Sequence, residues 1–202
     1  MFLERGLTST YEAVREWERR FAPLITEQLR IKRCGRAGPS WYVDETYVKV
    51  RGKWCYLYRA IDADGNLVVS RLSEKRDMEA AQQFFKQALT VVGHIPERVT
   101  TDGHASYPQA VRETLGDHVL HRTNKYLNNR LEQDHRGVKQ RYYPMQSFGN
   151  FDSAARFCSA FDELRNYLRL RSPLGEIASL SEKRQAFLDR ITALKEVLRT
   201  TS

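Results

Sequence analysis

The chain has 202 residues, 41% of them hydrophobic and 29% charged, with 33 Lys and Arg against 25 Asp and Glu. That length suits one ordinary domain with short appendages, and the composition excludes disordered and collagen-like classes. A formal charge of +8 favours a polyanionic partner, nucleic acid before others.

In chain order, Phe2-Leu3-Glu4-Arg5-Gly6-Leu7 resembles a helix end and a glycine turn, as in the second half of a helix-turn-helix; any small helical hairpin carries the same pattern. Residues 9–21 open with Ser9-Thr10-Tyr11-Glu12, a capping-box pattern, and carry Val14, Trp17 and Phe21 at helical spacing. This predicts a short amphipathic helix ending ahead of Pro23. Residues 31–40 mix basic residues with glycine and proline and read as a linker.

The core is then expected to begin. Trp41 to Val50 is rich in aromatic and β-branched residues, Arg51-Gly52-Lys53 forms a turn, and Trp54 to Asp62 is a second strand. Asp62-Ala63-Asp64-Gly65-Asn66 is a hairpin signal before a third strand at Leu67 to Leu72. Met78 to Val92 carries Ala81, Phe84, Phe85, Ala88 and Leu89 on one stripe, a helix closed by Gly93. A strand follows at Arg98 to Thr101, a helix at Ser106 to Leu115, a strand at Val119 to Arg122 and a helix at Asn128 to Tyr142. Beyond these, helices are expected over Ser153 to Leu170, before the Ser172-Pro173 break, and after the Ser179-Leu180-Ser181-Glu182 cap.

The order βββαβαβα belongs to the α/β class, a mixed sheet flanked by helices. The crossover after the third strand returns a parallel strand to the sheet; placed beside the first strand, it makes Asp44 and Asp102 neighbours. Cys34, Cys55 and Cys158 show no CxxC pair and no zinc spacing, so reduced, mostly buried thiols are expected. No apolar run approaches a membrane span and the first ten residues lack a secretory h-region, which points to a cytoplasmic, nucleoid-associated protein.

Three acids stand out: Asp44 in WYVDETYVKV, Asp102 in RVTTDGHASY and Glu132 in NNRLEQDHRGVK. Converging oxygen ligands in a basic protein suit a pair of magnesium ions acting on phosphodiesters. Successive strand side chains face opposite sides, so only one of Asp44 and Glu45 is expected to point into the site. Asp102 follows a strand and precedes a helix, a usual place for a functional group, although Asp-Gly also simply makes a turn. Glu132, Arg136 and Lys139 share a helix face beside His135; the same spacing also describes a solvated helix with an i, i+4 ion pair. Trp41 and Tyr42 either stack on DNA or pack in the core.

WYVDETYVKVRGKWCYLYRAIDADGN, PERVTTDG and HRTNKYLNNRLEQDHRGVKQR together resemble the DDE transposases of the insertion-sequence-six family, over residues 41–170. The resemblance implies a ribonuclease H-like catalytic core in which Asp44, Asp102 and Glu132 bind two divalent metal ions, Mg²⁺ or Mn²⁺. It also implies metal-dependent cleavage at element ends and strand transfer into target DNA, with Lys139 and Arg136 as phosphate contacts. The implied partners are terminal inverted repeats, target DNA and a second copy of the chain in a homodimer or larger transpososome. The expected domains are a helix-turn-helix remnant (1–30), a linker (31–40), the catalytic domain (41–170) and a C-terminal helical extension (171–202).

Two departures from the family pattern stand beside it. Only 29 residues separate Asp102 from Glu132, a shortening placed in the loop from Leu115 to His118, and residues 2–22 match only the last part of the usual helix-turn-helix. The alternative is therefore a truncated relic that binds DNA or joins a full-length transposase without transposing.

Overall fold

The computed structural model describes residues 9–124, 129–170 and 179–200. The helix-turn-helix resemblance at residues 2–7 and the Ser172-Pro173 break lie outside them. Five strands, β1 (Ser40–Val50), β2 (Lys53–Asp62), β3 (Leu67–Ser73), β4 (Arg98–Thr101) and β5 (Leu120–Thr123), form one mixed sheet in the order β3-β2-β1-β4-β5. The first three are antiparallel neighbours, whereas β4 runs parallel to both β1 and β5. β4 thus lies beside β1, as the crossover argument expects.

Local chemistry explains the turns. β1 and β2 are joined by Arg51 and Gly52 alone, both at positive φ (50° and 79°), as a two-residue hairpin requires. Between β2 and β3 the fully buried Asp62 carboxylate accepts from Asn66 N, Asn66 Nδ2 and, from the strand-β1 side, Gly38 N. One acid therefore closes the hairpin and ties down the approach to β1.

Helices cover both faces. On one, α2 (Met78–Val92) and α3 (Ser106–Leu115) pack Ala81, Phe84, Phe85, Ala88, Tyr107 and Val111 against Trp41, Val43, Tyr58 and Val69. On the other, α4 (Asn129–Tyr142) and α5 (Phe151–Leu168) bring Val138, Tyr142, Ala154 and Cys158 onto Val48, Val50, Leu57 and Leu72. Trp41 is wholly buried, so of its two expected roles the structure favours packing. Cys34, Cys55 and Cys158 are all free thiols, and only Cys34 is exposed.

The first helix departs from expectation. α1 runs from Tyr11 to Arg33, through Pro23 and into the stretch read as a linker, and its cap is Thr10, whose side chain accepts from Ala13 N. An internal proline costs a helix about 3 kcal/mol. Tertiary packing offsets it, because the far half of α1 buries Leu29 and pairs Arg30 and Arg33 with the buried Glu163 of α5. A second buried pair, Arg59 of β2 with Asp162 of α5, joins the sheet to the same helix through two hydrogen bonds of 2.8 and 3.1 Å. A last helix, α6 (Leu180–Thr200), is capped by the reciprocal Ser179 and Glu182 bonds that the sequence predicts.

Candidate metal centre

The β1–β4 ladder holds for three register pairs, Ser40 with Arg98, Trp41 with Val99 and Tyr42 with Thr100. Asp44 lies two residues beyond Tyr42, and Asp102 two residues beyond Thr100. Parallel register therefore brings the two acids level where the strands part, at the carboxyl end of β4, the side on which α/β sheets open their crevices. Backbone geometry holds Asp102 in place: its Oδ1 accepts from His104 N at 3.0 Å across the turn made by Gly103, whose φ is 91°. A Cβ on Gly103 would stand 2.6 Å from Thr123 Cγ2 on β5, so this position is closed to other residues without a shift.

Alternation turns Asp44 toward His135 of α4 and Glu45 toward Tyr107 of α3. Asp44, Glu45 and Asp102 each present a carboxylate oxygen, all within 4.8 Å of one another. Alternation fixes where Cβ atoms point, but β1 has no ladder partner on the β4 side beyond Tyr42.

Charge in this cluster is compensated by Arg76, from the connection between β3 and α2. Its Nε donates to Glu45 Oε1 (3.1 Å), and its Nη2 to Glu45 Oε2 (3.4 Å) and Asp102 Oδ2 (2.9 Å). Burial, with the Glu45 and Asp102 charges beside it, pushes the Asp44 carboxyl up to about 7. For Arg76, burial alone would lower the pKa, but hydrogen bonding to Glu45 and the two neighbouring carboxylates outweigh it and raise it. Tyr107, on α3, is buried beside Glu45, and both facts hold its phenol well above the ordinary range. His135 of α4 comes up from the opposite face of the sheet, Nδ1 4.0 Å from Asp44 Oδ2.

Of the sequence-expected residues, Asp44 and Asp102 come together. Glu132 lies on α4 one turn ahead of His135 and Arg136, and its side chain lies outside the described residues. Arg136 is exposed and Lys139 half-buried on the same helix. Sequence reasoning did not single out Arg76 or Tyr107, and it set Glu45 aside. The one available signal was Arg76 immediately ahead of Asp77, the residue that caps α2 through Ala80 N.

A DDE-domain family model matches residues 38–170. The transposase for the insertion sequence-like element IS431mec of Staphylococcus aureus is 39% identical over 148 residues, which are 71% of this chain and 65% of that protein. The transposase for insertion sequence element IS257 in transposon Tn4003, also of Staphylococcus aureus, is 39% identical over 147 residues, with the same coverage. The chain therefore spans 65% of the length of these relatives. Among solved structures, the HTLV-2 integrase catalytic core domain in complex with magnesium aligns with a TM-score of 0.51 at 18% identity, covering 74% of this chain and 95% of that one. A chain of the simian T-cell lymphotropic virus intasome in complex with PP2A regulatory subunit B56 gamma gives 0.51 at 16% identity, over 75% of this chain and 54% of that one. These likenesses identify the sheet and its helices as ribonuclease H-like. With the family model matched across the whole sheet and both sheet-borne acids in place, the chain belongs to the DDE transposases of the insertion-sequence-six family.

Proposed function

We infer that the protein is a transposase that cleaves DNA at the ends of its element and transfers those 3′ ends into target DNA. The observation that carries this is the convergence of Asp44 and Asp102 where β1 and β4 part, with family membership behind it. The donor set fits divalent metal: carboxylate oxygens of Asp44, Glu45 and Asp102 lie within 4.8 Å of one another, and burial first, then the neighbouring carboxylate charges, drive Asp44 toward protonation. Hard oxygen ligands of this kind suit Mg²⁺ or Mn²⁺, and two such ions are proposed. When bound, the metals would supply activation of a water or DNA 3′ hydroxyl and stabilisation of the leaving oxygen in an in-line displacement.

The protein's own side chains serve as ligands and positioners, not as nucleophiles. Asp44, Asp102 and Glu132 are assigned as the metal-binding carboxylates. Arg136, exposed on α4, and Lys139, half-buried on the same helix, are assigned to phosphate. Residues 41–170 form the proposed catalytic domain. Since two element ends must be held together, a homodimer or larger assembly on DNA is the proposed working form. Among the described residues no helix is long and apolar enough to cross a membrane.

The test is cleavage and end joining on DNA carrying the element's terminal repeats, comparing the chain with Asp102→Asn. The variant should keep its circular dichroism spectrum and lose both activities; undiminished activity would remove Asp102 from the site. Binding without cleavage by the parent chain would instead favour a non-transposing DNA-binding protein.

A further inference from the structure

Glu45 raises a question that the metal reading leaves open. It is adjacent to Asp44, presents an oxygen within 4.8 Å of both Asp44 and Asp102, and its side chain is only 3% exposed. A carboxylate so placed would compete as a ligand unless something else holds it. Arg76 does so: its Nε and Nη2 reach the two Glu45 oxygens separately, the fork geometry in which a guanidinium binds a carboxylate most specifically. The same Nη2 also reaches Asp102 Oδ2, while His104 N holds Oδ1, so donors on both oxygens fix the rotation of that carboxylate. Arg76 is itself anchored, since the next residue, Asp77, is pinned as the cap of α2.

We propose that Arg76 is a positioning residue that selects the metal-ligand set: it keeps Glu45 as its own counter-ion and holds Asp102 beside Asp44, so that only Asp44 of the adjacent pair serves the metal. The proposal rests on the reading of Asp44 and Asp102 as metal carboxylates. Electrostatics then makes an unusual demand. Removing Arg76 takes away a cation that opposes metal binding and frees a third carboxylate, so metal should bind more tightly while the site works less well.

The experiment is calorimetric titration of Mn²⁺ into the full chain, with DNA cleavage measured in parallel. Arg76→Met should raise Mn²⁺ affinity on the order of tenfold, the direction set by removing a positive charge beside the ligands, and should lower the cleavage rate. The double variant Glu45→Gln with Arg76→Met removes one charge of each sign and should return the affinity to near the parent value, with cleavage still reduced because Asp102 has lost its restraint. Unchanged or weaker Mn²⁺ binding by a folded Arg76→Met overturns the proposal, as does a double variant that binds as tightly as the single. If Arg76→Met does not fold, the double variant decides: near-parent affinity with impaired cleavage supports the proposal, and parent-level cleavage overturns it. Asp44→Asn and Asp102→Asn separate the two readings. Mn²⁺ binding that survives both substitutions overturns the metal assignment itself, whereas binding lost in both, with Arg76→Met unaltered, overturns only the role of Arg76.

Discussion

Arg33, in the last turn of α1, donates through Nε and Nη2 to the two carboxylate oxygens of Glu163 on α5, at 2.7 and 2.6 Å across 130 residues of sequence. Its remaining nitrogen, Nη1, meets the carbonyls of Leu67 and Val68, so one side chain joins α1 to both α5 and β3. Arg30 completes the cluster at 3.0 Å. Breaking a buried pair by removing one partner leaves the other charge uncompensated, at about 3–5 kcal/mol. Glu163→Gln should therefore lower unfolding stability by that order, measured by urea denaturation, and should loosen α1 first in hydrogen exchange. A loss under about 1 kcal/mol would mean that the cluster is solvated in solution.

The Asp44 carboxyl makes a prediction about pH. Its ordinary value is near 4 and its folded value about 7, so between those limits the folded protein holds a proton that the unfolded chain has released. Stability of the metal-free protein should fall as pH rises from about 4 to about 7 and then level off, by at most about 4 kcal/mol from this group. Asp44→Asn removes the titration and should be the more stable form at pH 8 without divalent metal. Equal denaturation midpoints for the two proteins at pH 8 would argue against the buried charge.

At Gly103 the backbone conformation and the contact with Thr123 act together. Gly103→Ala places a side chain at φ 91° and within 2.6 Å of Thr123 Cγ2. A cost of roughly 1–3 kcal/mol is expected, with loss of cleavage because the turn that holds Asp102 moves. Adding Thr123→Ser to the variant relieves the clash but not the φ strain, so partial recovery of stability is the expected outcome. Full recovery would assign the whole effect to the contact.

Lys139 is assigned to phosphate, and its substitution should act through salt. Lys139→Gln should weaken DNA binding evenly across sequences and reduce the slope of log affinity against log salt by about one. A slope equal to the parent's would take Lys139 off the DNA.

Most strands and helices were legible because they carry local signals. The end of α2 coincides with Gly93, that of β4 with the Asp102-Gly103 turn, and the start of α6 with the Ser179 and Glu182 cap. α1 was not legible in full, since the favourable partners that carry it past Pro23 are Glu163 and two β3 carbonyls, far away in sequence. The Asp44 and Asp102 pairing followed from strand direction alone. Glu45 was set aside on alternation, which describes Cβ vectors and says nothing of how near two carboxylate oxygens come where strands part. Arg76 was not singled out because it sits 31 residues from Glu45 and 26 from Asp102, and only the fold brings those three together.

The short β1–β4 ladder bears on how this chain tolerates change in length. Spacing between the two sheet-borne acids is inherited from the hydrogen-bonded pairs ending at Tyr42 and Thr100, not from the number of residues threaded between them. Connectors away from that seam, such as the exposed Asp117 and His118 between α3 and β5, are where length can change while the seam stays fixed. Grafted loops or reporter peptides belong in such connectors, where they would leave the distance between Asp44 and Asp102 untouched.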